Sequence, residues 1–317
     1  MIEEYPVGLS FVIALVVSGF LAPWILRTLI RLKSQQTISA HVQEHAHKQG
    51  TPTMGGLIII AGFLVSALVV QGQKAIVPIL LVALFAIIGF VDDFVVPRMA
   101  KGKRGLGWKQ KLGMQILGTI LIARIGTDNW TIIGLVLFFV LFFSNAYNFA
   151  DGMDALAGTL AILIVIPLAI FSDLSGLRSF TPSLMAALAG AMIPFLFYNA
   201  PPARVFMGDV GSLPIGALIG YTFVEIPVRS IHLHWGLYVL PLFVLALVLI
   251  AELVPVPIQI ASVKLRGKRV FPKTPIHHAF QDAGWPETRV VWMFLLTQTV
   301  CSALATGWLL LLGGRLR

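Results

Sequence analysis

The sequence predicts an all-α integral membrane protein, and three observations carry that expectation. Of 317 residues, 57% are hydrophobic and only 12% charged, about half the charge density of an ordinary soluble domain. Mean hydropathy is +0.89. The apolar residues gather into about ten runs, most of them near the roughly 20 residues that a helix needs to cross the hydrocarbon core. The single cysteine, Cys301, lies inside the last run and excludes an intrachain disulfide.

Taken in order, the first run spans about 7–30. Its positive charges (Arg27, Arg31, Lys33) follow it, so it reads as a retained helix with an outside N-terminus, not a cleavable signal. A polar loop, 31–54, ends in Thr51-Pro-Thr-Met-Gly-Gly56 and leads into a second run at about 55–71. The third run, about 76–94, stops on Asp92-Asp93. A basic loop, 95–111, precedes runs at about 112–126 and 130–149, and two more follow at about 155–171 and 183–198. The loop 199–210 carries Phe206-Met-Gly-Asp-Val-Gly-Ser212 into the eighth run, about 211–227. Pro255 and Pro257 interrupt the ninth, about 237–261, so it should break and line a cleft where its freed backbone groups meet protein or water. The loop 262–289 leads to the tenth, about 290–312. No repeat or low-complexity linker divides the chain, so residues 1–317 form one polytopic domain.

Orientation follows from lysine and arginine. With the N-terminus outside, the inside loops take four basic residues after the first run, six between 95 and 111, Arg204, and six between 262 and 289. That is 17 of 23. The net charge of +9 thus reads as the positive-inside rule and attraction to anionic lipid, and calls for no nucleic-acid partner. Eight of the fourteen acids share that face, and the charge rule does not explain them.

Four features carry chemistry. Asp209, between Gly208 and Gly211 at the start of a helix, can cap that helix; its N-terminus also favours phosphate. Asp92 and Asp93 repel each other at a helix C-terminus, where the dipole is unfavourable, so a cation partner is expected. Asn145, Asn148, Asp151 and Asp154 recur every third residue, more amide and carboxylate than a capped loop needs. His277-His278, in a proline-punctuated basic loop, lack zinc-site spacing and fit proton transfer or phosphate contact. Mg²⁺ takes one or two carboxylates plus phosphate oxygens and water, which this sparse set suits.

These stretches resemble the polyprenyl-phosphate N-acetylhexosamine-1-phosphate transferases, and among them the phospho-N-acetylmuramoyl-pentapeptide transferases. The resemblance covers about residues 43–292. It rests on Lys48 to Gly56, Gly89 to Asp93, Asn145 to Ala157, Phe206 to Ser212, and Lys264 through Pro275-Ile-His-His278 to Glu287. It implies ten helices, both termini extracytoplasmic, and a cytoplasmic Mg²⁺ site in a bacterial cell membrane. The implied reaction joins undecaprenyl phosphate to the phospho-MurNAc-pentapeptide of a UDP-linked precursor, giving lipid I and UMP. A homodimer is the family's habit. Carried over by position, Asp209 and Asn148 would bind the metal, and Asp92, Asp93 and His277 would be catalytic. Lys48, Thr53, Lys111, Asp151, Asp154, Asn199, Phe206, Gly208 and His278 would bind substrate.

Three positions depart from the family pattern: Val96 where a lysine is usual, Ala279 in a shortened histidine run, and Gln281 for a glutamate. Arg98 or Lys101 is a candidate to replace that lysine, and specialised or weakened activity is the expectation these departures raise. The runner-up enzyme is a sister transferase using UDP-GlcNAc. An ion-coupled transporter would need acids near the membrane midplane, and only Glu252 and Glu225 are candidates for that depth.

Overall fold

The computed structural model describes residues 6–32, 50–100, 105–174, 180–229 and 236–313. Among them there is no β-strand. The helices are α1 (Val7–Arg31), α2 (Gly56–Val70), α3 (Ile76–Phe90), α4 (Val96–Met99), α5 (Trp108–Gly126), α6 (Trp130–Ala150), α7 (Leu156–Leu174), α8 (Thr181–Asn199), α9 (Asp209–Arg229), α10 (Gly236–Leu253), α11 (Pro255–Arg266), α12 (Ile276–Asp282) and α13 (Glu287–Gly313).

Eight helical stretches among the described residues are long and apolar enough to span a membrane. They account for eight of the ten apolar runs. The other two are α2, apolar but only 15 residues long, and α5, whose first turn Trp108-Lys-Gln-Lys111 is polar. The third run extends beyond its expected end. One wide π turn, Val91–Val95, carries Asp92 and Asp93 from α3 into α4. Such turns loosen the backbone ladder locally, commonly at functional sites.

The ninth run is interrupted for one residue only: α10 ends at Leu253, Val254 forms a turn that keeps α-helical dihedral angles, and Pro255 opens α11. Proline is tolerated at a first helical position because its missing N–H would have no partner there. Gly267, left-handed at φ 64°, closes α11.

Helix α9 forms the hub, packed against α6 and α3 and touching α2, and most of its length is buried. Glycines make that closeness possible. Gly216 and Gly220, one turn apart, lie against the α6 backbone at Phe143 and Phe139 with no room for a Cβ, a small-residue contact suited to helices in lipid. Gly89 of α3 meets the Asp209 backbone in the same way, and Gly56 of α2 meets Gly211. The ends of α2, α3 and α9 are thereby drawn to one point.

Candidate active site

That point is where the acids meet. Asp92, Asp93 and Asp209, all half-buried, each present a ligand atom within 4.8 Å of the others. Asp209 opens α9, where the helix dipole favours a carboxylate. Asp92 and Asp93 lack that help, and backbone donors compensate. The Leu106 N–H donates to Asp92 Oδ1 (2.6 Å), and the Val210 N–H, in the first turn of α9, donates to Asp93 Oδ2 (3.1 Å).

One cation balances part of the charge. Lys111 Nζ donates to Asp92 Oδ2 at 3.1 Å and also to Asp209 Oδ2. Among the described residues three carboxylates face one ammonium, and such a half-buried cluster is unfavourable without a further cation. The donors are hard oxygens, which suit Mg²⁺ rather than a thiophilic metal. Asp92, Asp93 and Asp209 are therefore the residues that fit a divalent ion.

Asn148 reaches the same cluster, with its nitrogen. Nδ2 donates to Asp209 Oδ1 (2.7 Å) and to Ser212 Oγ (2.8 Å), while Ser212 Oγ donates to the Gly208 carbonyl (3.1 Å). In this arrangement Asn148 steadies Asp209, and its amide must turn over before its oxygen faces a cation.

A short backbone pairing builds the adjoining wall. The Phe206 N–H donates to the Pro52 carbonyl (2.8 Å), and the Gly55 and Gly56 N–H groups donate to Phe206 and Met207 (2.7 and 2.9 Å). This sets Thr53 beside Gly208. Gly208 is left-handed (φ 71°), and a Cβ there would stand 2.6 Å from Asp93 Oδ2 and 2.8 Å from Thr53 Oγ1, so any side chain would fill the space between them. Two non-glycine residues, Met54 (φ 72°) and Ala155 (φ 62°), also adopt this disfavoured conformation at the rim.

The Asn/Asp row does not share one helical face. Helix α6 ends at Ala150, so Asn145 and Asn148 stay on it while Asp151 and Asp154 fall in the turn before α7. Asn145 turns away and donates to Gln115 Oε1 (3.2 Å). Asp151 accepts from the Gly208 backbone; burial first, then the charges of Asp209 and Asp93, push its carboxyl well above the usual range. Asp154 accepts from Ala203 N–H (2.9 Å), and its own N–H donates to Glu287 Oε1 (3.0 Å). Asn199 accepts from Ala155 N–H and donates to the Val205 carbonyl, both 2.9 Å. Asp154 and Asn199 thus lock the two loops together. Glu287 was legible as the end of the last stretch that carries the family resemblance, without a role of its own.

His277, on α12, is buried beside Gly152, and His278 Nδ1 lies 2.9 Å from Gln281 Oε1. Phe206 is half-buried next to Gly208. Arg98 does not stand in for the missing lysine: its guanidinium lies over Phe94 at 4.0 Å and donates to the Leu32 carbonyl. Lys48 and Lys101 fall outside the described residues.

The glycosyl transferase family 4 profile matches residues 75–227, and phospho-N-acetylmuramoyl-pentapeptide-transferase signature 1 matches residues 48–60. A phospho-N-acetylmuramoyl-pentapeptide-transferase of Heliobacterium modesticaldum is 37% identical over 309 residues, covering 90% of this chain and 92% of its own. The transferase of the same name from Acetivibrio thermocellus is 34% identical, covering 92% of each. That from Nautilia profundicola is 32% identical, covering 94% of this chain and 92% of its own. At that identity and coverage, the chain belongs to the phospho-N-acetylmuramoyl-pentapeptide-transferase family, a multi-pass membrane branch of the glycosyl transferase family 4 enzymes.

Proposed function

We propose that the chain transfers phospho-MurNAc-pentapeptide from its UDP-linked precursor to undecaprenyl phosphate, releasing UMP and forming lipid I. The observation that carries this reading is the meeting of Asp92, Asp93 and Asp209 around Lys111 at the ends of three helices. The site then lies at the cytoplasmic face of a ten-span single domain in a bacterial inner membrane, with both termini outside.

In this reading the lipid phosphate attacks the precursor's sugar-linked phosphorus. A new P–O bond forms, and the bond to the UMP oxygen breaks with UMP leaving as the anion. Mg²⁺ held by Asp209 with Asp92 and Asp93, joined by Asn148 once its amide is turned, would supply neutralisation of that developing charge. Phosphoryl transfer depends mainly on positioning and charge neutralisation. Lys111 offsets negative charge on the diphosphate as it loosens its hold on the carboxylates. Asp93, close to Gly208, is placed to accept any proton carried by the attacking phosphate. Demand for a strong base is small, since that phosphate is already anionic near neutral pH. Thr53, Gly208, Asp151 and Phe206 border the space for the nucleotide, with Lys48 and His278 as further substrate contacts. Asp154 and Asn199 hold that border in shape.

The test uses purified protein with undecaprenyl phosphate and either UDP-MurNAc-pentapeptide or UDP-GlcNAc. UMP and lipid I are expected only with the muramoyl precursor, only with Mg²⁺, and not in EDTA. Comparable UMP release from UDP-GlcNAc would move the chain to the sister transferases. Ion uptake by proteoliposomes without any UMP would replace the enzyme reading with a transporter.

A further inference from the structure

Glu252 has no solvent exposure and lies in the last turn of α10, just before the interruption at Val254. An isolated carboxylate so placed is costly, and such groups persist when they have a partner and a role. Its partner is His277, 25 residues on. Glu252 Oε1 accepts the His277 main-chain N–H at 3.2 Å, and Oε2 lies 2.8 Å from Nδ1 of the ring. When Glu252 is ionised it can only accept, and Nδ1 then carries the hydrogen.

The other ring nitrogen is different. Nε2 is buried and has no hydrogen-bond partner. It is aimed at Gly152, where a Cβ would press against it. Gly152 belongs to the turn between Asp151 and Asp154, the turn given above to the nucleotide end of the substrate. Buried polar atoms in native proteins are almost always paired, so an orphan at the edge of a site marks the place of a ligand atom. A bulkier residue at 152 would occupy that place.

We propose that Glu252 is a positioning residue for the transfer. It holds the His277 ring through Nδ1–H, so that Nε2, carrying a hydrogen of its own when the anionic substrate is bound, donates to a phosphate oxygen of the diphosphate beside the Asp151–Asp154 turn. The inference rests on the transferase reading. It also gives a reason for the interruption of the ninth span, which lets α10 stop with Glu252 facing α12. The competing role is a structural pin that merely ties α10 to α12.

Glu252→Gln separates the two, because glutamine keeps the shape and can still accept the main-chain hydrogen bond while losing the charge. With Mg²⁺ and both substrates, kcat is expected to fall about 10- to 100-fold, the usual loss when the group orienting an imidazole is removed. The KM for undecaprenyl phosphate and the melting temperature should stay put. Glu252→Gln combined with His277→Ala should be no slower than His277→Ala alone, since one acts through the other. Wild-type kcat in Glu252→Gln, or losses that multiply in the double variant, would overturn the proposal. A readout independent of turnover is ¹⁵N NMR of histidine-labelled protein, with His277 expected to hold its hydrogen on Nδ1 in the wild type and to change in Glu252→Gln. A His277 ring with its hydrogen on Nε2 alone contradicts the positioning role even in an active enzyme. A wild-type chain that releases no UMP overturns the transferase reading itself, and the ring measurement then reports separately on the Glu252–His277 pair.

Discussion

Asp209→Ala is expected to lower UMP release by roughly 10³-fold, the scale on which removing one preorganised electrostatic group acts, while leaving the protein folded. Asp209 touches both Lys111 and Asn148, so it joins the basic side of the site to α6. Its loss removes a helix-capping charge but also relieves repulsion among three carboxylates. The two effects oppose, and the melting temperature should move by only a few degrees. Asp209→Asn sharpens the test by keeping an oxygen for the Asn148 hydrogen bond while removing the charge. Both variants should fail alike if charge is what matters. Near-wild-type turnover in Asp209→Asn would show that shape alone suffices and would refute a metal-holding role.

Lys111→Met should lower kcat by about 10²-fold, with a signature that separates it from Asp209→Ala. Lys111 is the cation that binds Asp92 and Asp209 together. Without it the three carboxylates face one another with no ammonium between them. The metal-free protein should therefore be less stable than wild type, and Mg²⁺ should raise its melting temperature by more than it raises that of wild type, because the pocket is more negative. Turnover falls because nothing then offsets charge on the diphosphate. A thermal melt with and without Mg²⁺, paired with a kcat measurement, checks both halves. Unchanged kcat, or a smaller stabilisation by Mg²⁺, would contradict the role assigned to Lys111.

Much of the fold was legible because lipid imposes a simple rule: long apolar runs must be helices. The interruption of the ninth run at Val254 was legible from Pro255, which removes a backbone donor, although it is slighter than a broken helix. The runs at α2 and α5 were harder to read, one being short and the other beginning with lysines. The acids themselves were visible as charges at helix ends. What spacing could not give is that Asp93 and Val210, 117 residues apart, would touch. That contact depends on glycines, Gly89 against Asp209 and Gly56 against Gly211, which in sequence look like ordinary small residues of apolar helices.

The Asn/Asp row was legible as a group of polar side chains every third residue, but not in its partners: α6 stops at Ala150, and the four side chains go to four different partners. Asp154 and Asn199 were expected at the substrate, and here their polar atoms tie one loop to another. Glu252 was visible only as a deep acid. Its partnership with His277 needs the loop between them to fold back, and no local pattern encodes that. Arg98 was a reasonable substitute for a missing lysine by sequence distance, yet it packs on Phe94 and faces the end of α1.

The central claim is that Asp92, Asp93 and Asp209 together hold a single divalent cation for the transfer. Mn²⁺ titration followed by electron paramagnetic resonance on the purified chain tests it most directly. One tightly bound Mn²⁺ per chain, displaced by Mg²⁺ and lost in Asp209→Ala, is the expected result. No binding in the wild type, or undiminished binding in Asp209→Ala, would contradict it.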